Sequence, residues 1–210
     1  MDIYLNNTFL TSTKLPVSIQ RVDFYDIQRV ADELRGYLIF NNGSWHFIGQ
    51  SQFMLMYAGT IEAVHKIALI LESPHKDEYD KQFHPIRPAN GKTGAKISSN
   101  LANRGALIGN LKNNIAYEVF IMNPVQFQAS CYFGIGNLYN RNHTDKVFRA
   151  LFNKNKGNQR SDFINRLNAY NPDVVFCCCT SNLKNVVENA VKNSFMASKP
   201  YYKDHHPSIW

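Results

Sequence analysis

Apolar residues recur along this chain with two different periods, and the switches between them predict its elements. Residues 67–71 form an unbroken apolar run, the pattern of a strand buried on both faces, and Glu72 ends it. Residues 117–122 and 174–179 read as two further buried strands. Between and after them, helical spacing runs over residues 97–111, 145–152, 161–169 and 182–191, where Leu183, Val186, Val187 and Ala190 share one side. Repeated strand and helix units predict an α/β fold. The expected form is a three-layer αβα domain with a mainly parallel central sheet of about four strands.

Upstream, Phe24, Ile27, Val30, Ala31 and Leu34 keep helical spacing, with Gly36 as a stop. Residues 37–40 and 45–48 flank Asn41-Asn42-Gly43-Ser44 and read as a hairpin, because Asn and Gly accept the positive φ of tight turns. Residues 1–65 are thus expected to form a helix and hairpin extension, packed on an α/β domain of residues 66–210. Residues 153–160 read as a polar, basic loop, and no internal repeat or low-complexity tract interrupts the pattern.

Composition changes the picture in two ways. The formal net charge is +7, and between Arg141 and Lys203 eleven Lys/Arg stand against four Asp/Glu, so this stretch carries the whole excess. A basic asymmetry of this kind favours an anionic partner, nucleic acid first. The four cysteines are Cys131 and the consecutive Cys177, Cys178 and Cys179. Neighbours in a strand face opposite ways, which suits neither a disulfide framework nor a metal cage. No apolar run approaches the roughly 20 residues of a membrane helix, and the first ten residues lack a secretory pattern. The expectation is a cytoplasmic monomer with no membrane association.

Candidate chemistry gathers where the parallel strands end, since in open α/β sheets ligands bind outside those carboxyl ends. The residues there are Glu72-Ser73-Pro74-His75, Asn123-Pro124 and Thr180-Ser181, joined by Asp204-His205-His206-Pro207-Ser208-Ile209-Trp210. Arg87-Pro88-Ala89-Asn90-Gly91-Lys92-Thr93-Gly94 forms a basic, glycine-punctuated loop leading into a helix near Ala95, suited to gather backbone amides and positive charge. A metal site built on His205 and His206 with His75 or His84 lacks a second regularly spaced ligand pair. Gly91-Lys92-Thr93 has Ile86 where a P-loop needs its first glycine.

The order and spacing of these segments resemble the uracil-DNA glycosylase superfamily, most closely the branch whose first motif reads Gly-Glu-Ala-Pro-Gly with an acidic residue four after the proline. Leu71-Glu72-Ser73-Pro74-His75 matches at Glu72 and Pro74, with Glu78 at the later acidic position. Arg87-Pro88-Ala89-Asn90-Gly91 with Gly94 keeps the spacing of the branch's Arg-Pro-Phe-Val-Gly motif. Asn123 resembles its base-reading asparagine, and His206-Pro207-Ser208 its His-Pro-Ser motif. The resemblance covers residues 66–210.

The resemblance implies that Glu72 and His206 are catalytic. Cleavage of an N-glycosidic bond leaves positive charge on the sugar, which a carboxylate stabilises while directing water, and negative charge on the base, which a donor stabilises. Ser73, Pro74, His75, Ala89 and Asn123 are the implied base-binding residues, and Asn123 offers both donor and acceptor. Arg87, Lys92, Thr93, Ser208 and Ile209 are the implied DNA contacts, Ile209 as the apolar wedge that fills the place of the flipped base.

The chain departs from that branch at three points. It lacks the spaced cysteines of an iron-sulfur cluster, so no cluster or other cofactor is expected. Ala89 stands where a phenylalanine stacks on uracil, and His75 replaces a glycine. Loss of a stacking ring argues against a plain uracil specialist. The expected activity is excision of an enlarged or modified pyrimidine, such as a sugar-bearing cytosine of phage DNA, from double-stranded DNA in anti-phage defence. An ordinary uracil glycosylase, a non-catalytic DNA-binding module of the same fold and a hydrolase of free nucleosides or nucleotides remain the alternatives.

Overall fold

The computed structural model describes residues 2–12, 21–57, 59–108, 114–129, 141–153 and 155–210, with the side chains of 108, 141, 142 and 195 excepted. Cys131 and the far end of the helix expected to reach residue 111 lie outside them, as does residue 154 of the basic loop.

In chain order the elements are β1 (Asp2–Leu5), β2 (Thr8–Ser12), β3 (Arg21–Phe24), β4 (Glu33–Asn41), β5 (Ser44–Ile48), α1 (Gln50–Tyr57), β6 (Ala63–Ile70), α2 (Lys92–Arg104), β7 (Ile115–Met122), α3 (Arg141–Phe152), α4 (Gln159–Tyr170), β8 (Val174–Cys177), α5 (Ser181–Lys192) and β9 (Tyr201–Lys203). Six strands form one sheet in the order β5-β4-β7-β6-β8-β9, and β2-β1-β3 form a small second sheet. Within the large sheet β7, β6, β8 and β9 run parallel, whereas β4 pairs antiparallel with both β5 and β7. The fold is mixed α/β.

The sheet is therefore larger and more mixed than the four mainly parallel strands expected from the sequence. The hairpin does form, with Asn42 at φ 48° and Gly43 at φ 75° in its turn. It hydrogen-bonds onto β7, adding two antiparallel neighbours to the sheet. At the other edge β9, too short to show a period, adds a fourth parallel strand.

The helix expected over residues 24–34 is absent. Residues 21–24 pair parallel with β1, residues 26–28 make one 3₁₀ turn, and β4 begins at Glu33. Phe24 and Val30 are buried but Ile27 is 78% exposed, so the apparent apolar stripe covers no single core. Strand pairing has overridden a local pattern. Gly36 is no helix stop either. It lies within β4 at a register shift, where a Cβ would fall 2.3 Å from the Ile48 carbonyl oxygen.

Alternation along the parallel strands feeds two apolar clusters. Ala68, Ile70, Met122, Val175 and Cys177 pack with Phe148 of α3, Phe163 of α4 and Val187 of α5. Ile67, Leu69, Ile121 and Phe176 pack with Ile97 and Leu101 of α2. Each fully buried Leu, Ile or Phe contributes about 1.5–3 kcal/mol, which anchors these strands and fixes where they end. Cys177 and Cys179 join the first cluster and Cys178 the second, all fully buried. No helix of the described residues is long and apolar enough to cross a membrane.

Candidate functional site

The four parallel strands stop at one edge, and backbone hydrogen bonds hold the chain together just beyond it. Leu71 N donates to Met122 O at 3.0 Å, Cys178 N to Ile70 O at 2.8 Å and Asp204 N to Cys177 O at 3.1 Å. Glu72, Asn123, Thr180 and the segment from Asp204 to His206 leave from these tied positions. Four stretches far apart in sequence therefore share one rim.

Glu72 is 3% exposed, and its Oε2 accepts a hydrogen bond from Thr180 Oγ1 at 2.5 Å. Asn123, the first residue after β7, is 1% exposed. Its backbone is fixed on both sides: its N–H donates to the Asp32 carboxylate and its carbonyl accepts from Arg166 Nη2 at 2.9 Å. Its side-chain Oδ1 and Nδ2, by contrast, have no hydrogen-bond partner among the described residues, and neither has the buried Ser73 Oγ. Each such group forgoes about 1–3 kcal/mol of solvation. A donor and acceptor held dry on a fixed backbone suit a flat ligand edge that carries both.

The stretch from Ser73 to Gly91 continues from Glu72 and is folded on itself, Ile86 N donating to Glu78 O and Asn90 Nδ2 to Asp77 O, each at 2.8 Å. His75 caps a 3₁₀ turn over Lys76–Glu78, its Nδ1 accepting from Asp77 N at 3.3 Å, and burial above all lowers its pKa. Glu78 is 4% exposed. Burial pushes its carboxyl up to about 8, against the backbone N–H groups of His75 and Ala89 that donate to it. At neutral pH it is mostly a neutral acid.

Ala89 is 1% exposed, has φ 51° and packs in the apolar cluster with Ile97 and Leu101. Its carbonyl lies so close to Gly94 that a Cβ there would come within 1.8 Å of the oxygen, and Arg35 Nη2 donates to it at 3.5 Å. The spacing Ala89 to Gly94 is thus a packing requirement of the loop. Pro74 and Pro88 are buried as well.

The expected DNA contacts divide into two groups. Arg87 is engaged in a two-point pair with Glu33, Nη2 to Oε1 at 2.7 Å and Nε to Oε2 at 3.2 Å, and braces the loop against β4. Lys92 is exposed at the start of α2 and Thr93 is half-buried. The α2 N-terminus is not an open cradle for anions, because Asp77 already lies against Gly91, its Oδ2 2.8 Å from where a Cβ would stand.

His206 follows β9 and is half-buried. Its Nδ1 accepts from Ser208 N at 3.3 Å and lies 2.9 Å from Ser208 Oγ. A ring nitrogen that accepts a backbone N–H leaves the neutral imidazole with its proton on Nε2, a donor. The 3₁₀ turn Pro207–Ile209 packs on α2, and Arg104 lies over the Trp210 ring at 5.4 Å. Ile209 is left 70% exposed.

Comparison of the chain with protein-family models, curated proteins and solved structures found no match in any of the three. The rim residues themselves therefore carry the functional reading. Strand-end position is the signal that identified Glu72, Asn123 and Thr180 in the sequence. Arg35, Asp32 and Arg166 support the rim without having been singled out. Arg35 and Asp32 fell in or beside a segment that reads as helix, and Arg166 looks like one solvated face of α4.

Proposed function

We propose that the protein is a monofunctional DNA glycosylase that hydrolyses the N-glycosidic bond of a flipped-out, enlarged or modified pyrimidine and leaves an abasic site. The observation that carries this reading is the Asn123 carboxamide, buried without a hydrogen-bond partner among the described residues on the same strand-end rim as Glu72. The reading takes the helices around the parallel strands as a three-layer αβα arrangement, and the protein as a cytoplasmic monomer acting on DNA.

In this reaction the bond between C1′ and the base nitrogen breaks, and its electron pair leaves with the base. Glu72 stabilises the positive charge on the sugar and directs water to C1′, taking up the proton that water loses. His206, with its proton on Nε2, donates to the base oxygen, and a preorganised donor of this kind lowers the barrier by about 2.7–4 kcal/mol. Asn123 reads the base edge, with Ser73, Pro74 and His75 beside it. Lys92, Thr93 and Ser208 meet the backbone, while Arg87 acts through its brace to Glu33. Ile209 takes the place of the extruded base. The enlarged base rests on the sequence alone, on Ala89 where the family resemblance calls for an aromatic ring, since the Ala89 side chain itself is packed in the apolar cluster.

The test is an abasic-site assay over oligonucleotides and phage DNAs with different pyrimidines. Abasic sites in DNA with bulky pyrimidines and little uracil release are expected. Efficient uracil release with the bulky bases untouched overturns the choice of base, and no release from any DNA overturns the glycosylase.

A further inference from the structure

The basic loop of residues 153–160 takes no part in the proposed chemistry, yet it builds a cleft of its own. Gly157 N donates to Ala150 O at 3.3 Å and Asn158 N to Asn153 O at 2.9 Å, folding the loop back on the end of α3. Gly157 packs so closely there that a Cβ would fall 2.4 Å from the Leu151 carbonyl oxygen. Asn158, at φ 54°, then turns the chain into α4. Between this turn and Arg29 lies an open cleft of about 300 Å³, and the side chains of Arg29, Asn158, Gln159, Ser161, Asp162 and Asn165 that line it are all polar.

The cleft is rich in unused donors. The N–H groups of Gln159, Arg160 and Ser161 precede the first intrahelical bond, Asp162 N to Asn158 O, and the Asn158 side chain does not cap them. Gln159 is 1% exposed, and its Oε1 has no hydrogen-bond partner among the described residues. A half-turn of this carboxamide puts an NH2 donor in the same place. The Asp162 carboxylate is already taken, Oδ1 accepting from Arg29 Nη1 at 3.3 Å and Oδ2 from Arg166 Nε at 2.9 Å. Around it Arg29 and Arg166 pair with Asp26, Asp32 and Asp162, whereas Lys156 and Arg160 form no ion pair among the described residues. Four cations thus stand against three acids, at a helix end that itself favours an anion.

The cleft also lies beside the strand-end rim. α4 leads into β8, so its first turn points toward the edge where the parallel strands stop. The Arg166 guanidinium that meets Asp162 donates, through Nη2, to the Asn123 carbonyl at 2.9 Å.

We propose that this cleft binds a phosphate group, and that the phosphate belongs to the backbone of the DNA strand whose base enters the rim. The phosphate chemistry stands on the cleft itself, and only its source rests on the glycosylase reading.

The test compares the wild-type protein with Ser161→Asp and Gln159→Leu. Each is titrated with inorganic phosphate at constant ionic strength and with modified and unmodified duplexes across a salt series. Thermal unfolding and base release are measured in parallel. An acid in the first turn favours a helix, and Gln159→Leu removes a buried polar atom without a partner, so both variants should unfold at or above the wild-type temperature. Ser161→Asp should abolish phosphate binding, and Gln159→Leu should weaken it roughly tenfold, as for one hydrogen bond to a charged group. On DNA, the slope of log affinity against log salt should become shallower by about 0.9 in Ser161→Asp, one phosphate, alike on both duplexes.

A shallower slope supports the proposal whether or not free phosphate saturates the wild type. Phosphate binding and salt slope equal to wild type in both variants overturn the cleft, and base release by the wild type in that case leaves the glycosylase reading standing. Phosphate binding lost in Ser161→Asp with an unchanged slope overturns DNA as the source of the phosphate. A shallower slope in Ser161→Asp without base release by the wild type overturns catalysis and leaves the cleft. A melting temperature of Gln159→Leu well below wild type makes the carboxamide part of the fold and overturns the site. Absence of both phosphate and DNA binding in the wild type overturns both readings.

Discussion

Thr180 Oγ1 donates to Glu72 Oε2 at 2.5 Å, joining the ends of two adjacent parallel strands across 108 residues of sequence. The bond orients a carboxylate that is buried just beyond the end of β6. Glu72→Gln keeps the shape and removes the charge, so base release should fall by about 10²–10⁴ while DNA affinity survives. Thr180→Val removes a hydrogen bond to a charged group and should lower stability by about 1.5–3 kcal/mol. Single-turnover release and urea denaturation measure the two effects. Full activity in Glu72→Gln rules the carboxylate out of the chemistry.

Asn123 gives the opposite expectation for stability. Its backbone is held by Asp32 and Arg166, and its buried carboxamide bonds to no described protein group. Asn123→Leu, similar in shape, removes two uncompensated polar atoms. Its melting temperature should equal or exceed that of the wild type, whereas base release should fall at least tenfold, about 1.4 kcal/mol. A melting temperature several degrees lower would make the carboxamide a structural group.

Glu78 should leave a signature in the pH dependence of stability. Its folded carboxyl titrates near 8 against an ordinary value of 4.5, because burial disfavours the charge. Between those two values the unfolded chain is ionised and the folded chain holds the proton, so stability falls as pH rises through this window and levels off above it. The loss amounts to a few kcal/mol, on the order expected for such a shift. Urea denaturation of wild type and Glu78→Gln from pH 4 to 9 isolates the effect as a difference. Parallel curves for the two proteins would show that Glu78 is ionised in the fold.

Arg166 tests the support of the rim. It pairs with Asp32, meets Asp162 at 2.9 Å and donates to the Asn123 carbonyl at 2.9 Å. Burial raises the Asp32 pKa even against the attraction of Arg166. Arg166→Met leaves that carboxylate unpaired in a largely dry place and should destabilise by about 3–5 kcal/mol. Adding Asp32→Asn should recover part of the loss, read from the shift in urea midpoint. A single-variant loss below about 1 kcal/mol would mark the pair as an ordinary surface ion pair.

The strand of residues 67–71 was legible because burial on both faces demands an uninterrupted apolar run. The hairpin was legible because Asn42-Gly43 has few other backbone choices. Residues 24–34 misled, since a spacing that fits a helix also arises where Phe24 and Val30 fill separate core positions and Ile27 fills none. Three-residue β9 was invisible, being shorter than any period that could reveal it. At the rim, strand ends singled out Glu72, Asn123 and Thr180, whereas the left-handed backbone of Phe83 is stated by no residue pattern.

By itself, the sequence determined which residues end the parallel strands and what chemistry they carry, because apolar runs mark buried strands and polar residues mark their ends. Tertiary structure alone decided that β4 and β5 join the sheet antiparallel, that Arg87 turns to Glu33, that the Asn123 carboxamide is buried without a partner among the described residues and that burial neutralises Glu78. Those properties depend on which distant groups pack around a side chain and exclude water from it, and packing across the sheet is not written in local spacing.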